Sequence, residues 1–198
     1  MTEIYLIRHG NVDVHGRILA GRTPGIHLNE TGRHQAVRIA DALSHIAFNA
    51  IYSSPMERTQ ETAQPLASRF NLKIEISNGF HEIDCGDWTG KSFDELSQLQ
   101  DWKKFNQYRT GLRIPGGERL IDVQGRVSNE VERLISLHSN QTIAVFSHGD
   151  PIRAAICYYA GIPLDLLDHI EVSPGSWSVI HHQDSLFKIF AVNVVPLP

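Results

Sequence analysis

The sequence predicts an α/β fold, a mainly parallel sheet with helices on both faces, and three observations carry that reading. Short apolar runs alternate with stretches of helical spacing along the 198 residues. Two of those runs, Ile4-Tyr5-Leu6-Ile7 and Ile143-Ala144-Val145-Phe146, are apolar throughout, as strands covered on both faces are. Each is followed by the same kind of phrase, Arg8-His9-Gly10 in one case and Ser147-His148-Gly149 in the other.

In chain order, the first strand spans residues 3–7, and Met1-Thr2-Glu3 ahead of it holds no basic leader, so it reads as a strand and not a signal peptide. A long loop over about residues 10–28 carries Gly10, Gly16, Gly21, Pro24 and Gly25, and helical spacing then runs over 30–46. A second strand at 50–53 leads into a helix at 55–70. There Ser54 and Glu57 have capping-box spacing, and Pro55 suits the first helical position. A third strand at 73–76 precedes a second long loop, about 83–118, rich in Trp, Gly and charge, with weaker helices between 92 and 108. That loop ends in Ile114-Pro115-Gly116-Gly117-Glu118, before a helix at 119–138 and a strand at 142–146. Asp150 reads as the N-cap and Pro151 as the first residue of a helix at 151–160, which sets His148 at a helix N-terminus. The last strands, 177–182 and 186–194, flank Gln183-Asp184-Ser185 as a hairpin. The length suits one domain, 1–198, with 83–118 as a cap-like insertion over the functional end.

A net charge of −4 argues against a nucleic-acid or anionic-membrane surface, so any anion must be held by local arginines. No apolar stretch reaches the ~18 residues needed to cross a bilayer. Cys85 and Cys157 are too few for a disulfide framework, and a cytoplasmic location is expected. Eleven histidines invite a metal, but no HxxH, HExxH or CxxC spacing occurs, and His181-His182 suit the two faces of a strand; no metal is expected.

Ligands of open α/β sheets gather beyond the carboxyl ends of the strands, where both His-Gly pairs fall. Arg8 offers a planar fork for two oxygens of a phosphate, and Gly10 lets the backbone pass close to a ligand. Arg58 falls in the first turn of its helix, where the dipole mildly disfavours a cation; a neighbouring anion would remove that conflict, while the alternative is a solvated Arg paired with Glu57 or Glu61. Glu82, flanked by Phe80 and Ile83, is placed to have a raised pKa and donate a proton near neutral pH, with Asp84 and Asp87 as substitutes.

Taken together, Leu6-Ile7-Arg8-His9-Gly10, Ser53-Ser54-Pro55-Met56-Glu57-Arg58-Thr59, Glu82 before Gly86-Asp87-Trp88-Thr89-Gly90, and Ser147-His148-Gly149 resemble the histidine phosphatase, or phosphoglycerate mutase-like, superfamily in its broad-specificity phosphatase branch. Leu28-Asn29-Glu30-Thr31-Gly32 and Pro115-Gly116-Gly117-Glu118 are also similar to phosphatase members, and the resemblance runs from about residue 4 to 182. It implies a cofactor-independent phosphomonoesterase in which His9 becomes phosphorylated, Arg8, Arg58 and His148 hold the phosphoryl oxygens, and Glu82 protonates the leaving group. Gly21 and Gly149 join the substrate-binding set. The sequence departs from the family at Asn11-Val12-Asp13-Val14-His15, where the usual phosphate-contacting Asn is not evident and Asn11 or His15 takes its place. It departs again at Arg119, where Ser is common; that Arg bears either on substrate charge or only on the helix surface.

Two other readings stand beside the phosphatase. A phosphoglycerate mutase-type phosphotransferase would need a larger cap and a closing tail, whereas the stretch from Glu82 to His148 is short and the chain ends in Val194-Val195-Pro196-Leu197-Pro198 soon after the last strand. A catalytically inactive phosphate-binding domain would not need all five core residues. The expected partner is a small phosphomonoester; sugar phosphate, phosphoserine, α-ribazole phosphate and nucleotide stay unranked, and a homodimer stays open. Arg22, Arg113, Arg119, His81 and Trp88 belong either at the mouth of the site or on the surface.

Overall fold

The computed structural model describes residues 1–196; Leu197 and Pro198 of the terminal segment lie outside the described residues. Six strands, β1 (Thr2–Arg8), β2 (Ala50–Ser53), β3 (Ile74–Ile76), β4 (Thr142–Ser147), β5 (Trp177–Gln183) and β6 (Leu186–Val194), form one sheet in the order β3-β2-β4-β1-β5-β6. The β3-β2, β2-β4 and β4-β1 pairs are parallel, and β5 and β6 add an antiparallel edge. Asp184 and Ser185 turn that last hairpin with φ of 51° and 65°. Two consecutive left-handed residues are what a type I′ turn requires.

Alternation along the central strands divides the core in two. Tyr5, Ile7, Ile51, Ala144 and Phe146 face helices α1 (Glu30–Ala42) and α2 (Glu57–Phe70), against Ile39, Ala40, Ala63 and Leu66. Ile4, Leu6, Tyr52, Ile143 and Val145 face the other way, against Val123, Val127 and Val131 of α5 (Leu120–Leu137) and Ile152 and Ile156 of α6 (Gly149–Ala160). Both faces are thus covered, as an apolar parallel sheet demands. Helix α1 stops at Ala42 and not near residue 46, because the chain beyond Leu43 turns toward β2 and seats Phe48 in the core. Its N-terminus is capped by Asn29, whose side-chain oxygen accepts from Gly32 N at 2.9 Å.

Between β3 and α5, residues 83–118 hold a 3-10 turn (Gly86–Trp88), α3 (Phe93–Ser97) and α4 (Gln100–Gln107), all on the α5/α6 side through Trp88, Leu96, Phe105 and Ile114. Ser92 and Glu95 cap α3 reciprocally. Cys85 and Cys157 are free and buried. No described helix is long and apolar enough to cross a membrane.

Candidate active site

Strand register brings the histidines together. β1 and β4 pair in parallel with Arg8 opposite Ser147, so His9 and His148 leave adjacent strands side by side, their ring centroids 5.2 Å apart at 63°. On the other flank of β4, Ser53 stands opposite Phe146, and the next residue, Ser54, places its hydroxyl 2.8 Å from Nε2 of His148. Both partners are fully buried. A hydroxyl can accept from a protonated Nε2 or donate to a bare one, so Ser54 serves either tautomer of His148.

This use of Ser54 corrects the expected capping box. Helix α2 begins at Glu57 with Met56 as its N-cap and no side-chain cap bond, and Pro55 lies ahead of the helix. Glu57 instead accepts from Gly25 N at 3.0 Å, tying the 10–28 loop to α2. A second correction concerns α6. It starts at Gly149 with His148 in extended geometry as the N-cap residue, so Asp150 lies inside the first turn, where it accepts from Nη1 of Arg153 at 3.1 Å.

Nδ1 of His9 donates to the carbonyl of Gly10 at 2.7 Å, which leaves Nε2 as the nitrogen with a free lone pair. Only glycine fits at position 10: a Cβ there would lie 2.6 Å from the carbonyl oxygen of Gly32, at the start of α1. Burial, then the charges of Arg58 and Arg8, hold His9 well below the usual imidazole range. Burial and Arg58 do the same for His148. Both rings are therefore neutral at neutral pH, the state in which an imidazole nitrogen keeps a lone pair.

Arg58 is 1% exposed, which excludes the solvated alternative. Its Nη2 donates to the carbonyl of Gly21 at 2.8 Å and lies 3.3 Å from Nδ1 of His148, while its Nη1 is buried without a partner. Gly21 presents that carbonyl from a left-handed turn, φ 49°. Arg8 donates from Nη1 to the carbonyl of Val172 at 2.6 Å, and its Nη2 sits 3.4 Å from Nε2 of His15. Neither guanidinium has a carboxylate within ion-pair distance among the described residues, so each keeps its charge available for an anion.

Oε2 of Glu82 lies 3.7 Å from Nδ1 of His148, and Oε1 accepts from Ile83 N at 2.9 Å. Burial, then the negative charge of Asp150, pushes its carboxyl up to about 7. The backbone of Glu82 is clamped by a network that sequence reading did not find: Nε of Arg22 and Nη2 of Arg126 donate to its carbonyl at 2.8 and 3.1 Å. Glu118 neutralises both arginines, at 2.9 and 3.2 Å, and accepts from Asp84 N at 3.0 Å. The one signal for it was the Pro-Gly-Gly-Glu phrase, which places Glu118 but says nothing of its partners.

A cavity of about 330 Å³ opens over these groups. Arg8, His9, Arg58, Glu82, His15, Gly21 and Gly149 all line it, with His148 fully buried behind them. Asn11 does not reach it; its backbone N donates to Gln35 at 2.8 Å and its carbonyl accepts from Asn29 N, which knits the loop to α1. Of the residues placed at the mouth or on the surface, Trp88 lines the cavity. Arg22 is spent on Glu82 and Glu118, His81 stands outside the lining, and Arg113 and Arg119 both pair with Asp122 at the exposed start of α5. Asp150, Arg109 and Arg153 line it without having been anticipated as site residues. Among the described residues there is no cluster of three or more His, Cys, Asp or Glu able to hold a metal ion. The ensemble can bind a small anion, attack it with one imidazole and return a proton from a carboxyl.

The sequence profile of the Histidine phosphatase superfamily (branch 1) matches residues 4–195. Phosphoserine phosphatase 1 of Hydrogenobacter thermophilus is 32% identical over 98% of this chain and 93% of its own length. The adenosylcobalamin/alpha-ribazole phosphatase of Escherichia coli is 28% identical over 90% of this chain and 89% of its own. Among solved structures, Bacillus stearothermophilus YhfR superposes with a TM-score of 0.91 at 28% identity, covering 96% of each chain.

Proposed function

Given that the chain belongs to the histidine phosphatase superfamily (branch 1) and is a phosphatase by that membership, we propose that it hydrolyses small phosphorylated metabolites through a phosphohistidine on His9. The observation that carries this reading is the Nδ1 bond of His9 to Gly10, which leaves Nε2 as a nucleophile at the floor of a cavity holding two uncommitted guanidiniums. In the proposed reaction Nε2 of His9 attacks phosphorus, Arg8, Arg58 and His148 hold the phosphoryl oxygens, and Glu82 gives its proton to the departing alkoxide. His15 takes the position of a further phosphate ligand in preference to Asn11, since it lines the cavity beside Arg8. Water then attacks the phosphohistidine, and Glu82 takes the proton back.

Such a transfer needs positioning and charge neutralisation, which these side chains supply without a cofactor. In this reading residues 83–118 act as a cap within a single domain, and a cytoplasmic location suits two buried free thiols. The substrate classes in the relatives' names, phosphoserine and α-ribazole phosphate, are the first to assay.

A brief pulse with a 32P-labelled phosphomonoester is the test. The expected label is lost in acid, survives alkali and is absent from His9→Ala. Label lost in alkali would replace the proposal, with a phosphoserine route if it survives acid and an acyl phosphate route if it does not.

A further inference from the structure

We infer that the alcohol half of the substrate is an apolar, ring-sized group and not an amino acid or hydroxy acid; this deepens the phosphatase reading of the same site and rests on it. Away from His9 the cavity runs beneath residues 83–118, where its wall is aromatic: Trp88, Phe93, Trp102 and Phe105, facing Val14 and Ile18 of the 10–28 loop. The rings brace one another edge to face. Trp88 lies 5.3 Å from Trp102 at 78° and 5.4 Å from Phe105 at 75°, and Phe93 stands 6.1 Å from Trp102. Trp88 and Phe105 are almost wholly buried, whereas Phe93 is 37% exposed, so the wall runs from a fixed base to an open mouth. Rigid, mutually packed rings bind a flat apolar group with little loss of side-chain freedom.

The other charges that line the cavity point the same way. Besides Arg8 and Arg58 the lining holds Arg109 and Arg153, both held by carboxylates: Arg109 donates to Asp168 at 3.1 and 2.6 Å and rests 4.8 Å over the Phe105 ring, and Arg153 meets Asp150 at 3.1 Å and Asp168 at 3.6 Å. Two positive charges thus stand against two negative ones. Arg8 and Arg58 instead bond to neutral carbonyls and keep their charge for the phosphoryl group. Asn106 gives Nδ2 to the Trp102 carbonyl at 2.8 Å. A substrate carboxylate or ammonium entering here would lose its water and find each opposite charge already paired. An apolar ring loses nothing polar and buries its surface.

The experiment compares 2-phenylethyl phosphate with O-phosphoserine, two alkyl esters of unactivated alcohols, and adds 4-nitrophenyl phosphate and the His9→Ala variant as controls. The expected kcat/KM for the phenylethyl ester exceeds that for phosphoserine at least about tenfold, and Phe93→Ala and Trp102→Leu bring the ratio down severalfold. Because both substrates are assayed on one preparation, the ratio does not depend on the folded fraction. A wild-type ratio at or below one, or a ratio unmoved in both variants, overturns the inference while leaving the phosphatase reading in place. Undiminished turnover of 4-nitrophenyl phosphate by His9→Ala, or no turnover of any ester by the wild type, overturns that reading itself.

Discussion

The Oε2 oxygen of Glu82 and the Nδ1 nitrogen of His148 lie 3.7 Å apart in a space from which both side chains have lost most of their water. The imidazole is held neutral by burial and Arg58, and the carboxyl is held protonated up to about 7 by burial and Asp150. The pair is therefore set to carry one proton on the carboxyl, at the place where a leaving group would need it.

Above pH 7 Glu82 ionises, and the rate on alkyl phosphates is expected to fall as the acid is lost. Glu82→Gln should lower kcat on such esters about 10²–10³-fold, affect 4-nitrophenyl phosphate far less, and abolish the alkaline fall. Stability carries the same signature. Between 4.5 and about 7 the folded protein holds a proton that the unfolded chain releases, so stability falls as pH rises through that window and is flat above it. Glu82→Gln should be more stable than wild type at pH 8 by about 1–3 kcal/mol and indistinguishable near pH 4. Urea melts at the two pH values check this; a difference independent of pH would refute it.

Arg58 is a buried cation without a carboxylate partner, which opposes folding until an anion arrives. Arg58→Met should abolish turnover while keeping or raising Tm. Inorganic phosphate or vanadate should raise the wild-type Tm and leave that of Arg58→Met unmoved. Thermal melts with and without the anion decide it, and a variant that melts well below wild type would show that Arg58 is structural.

Glu118 does not touch the Glu82 carboxyl; it holds Arg22 and Arg126, which grip the Glu82 carbonyl, and accepts from Asp84 N on the same segment. Glu118→Gln should lower stability by about 1–3 kcal/mol. It should also lower kcat on alkyl esters roughly tenfold, with a smaller effect on 4-nitrophenyl phosphate, the same leaving-group pattern as Glu82→Gln in milder form. Equal losses on both esters would assign Glu118 to folding alone.

The strands, the long helix before β4 and the two His-Gly strand ends were legible in the sequence for a local reason. Continuous apolar runs declare strands buried on both faces, and a polar triplet after such a run marks the end where ligands collect. The starts of α2 and α6 were not legible in the same way. Ser54 and Asp150 have good capping chemistry, but their side chains are taken by His148 and Arg153, contacts made by the tertiary fold and the first turn. Asn11 and His15 are both polar and both near His9; which one reaches the cavity depends on how the loop lies against α1.

By itself the sequence determined the α/β alternation, the two His-Gly strand ends and the carboxyl flanked by Phe80 and Ile83, because each of these is written in residues close together along the chain. The tertiary structure decided which cations stay free and which are neutralised. Arg8 and Arg58 face neutral carbonyls, Arg109 and Arg153 face carboxylates, and Arg22 and Arg126 are spent holding Glu82 in place. The physical reason is that the strength of a charge in a site depends on what stands within a few ångströms of it, and those neighbours come from distant parts of the chain.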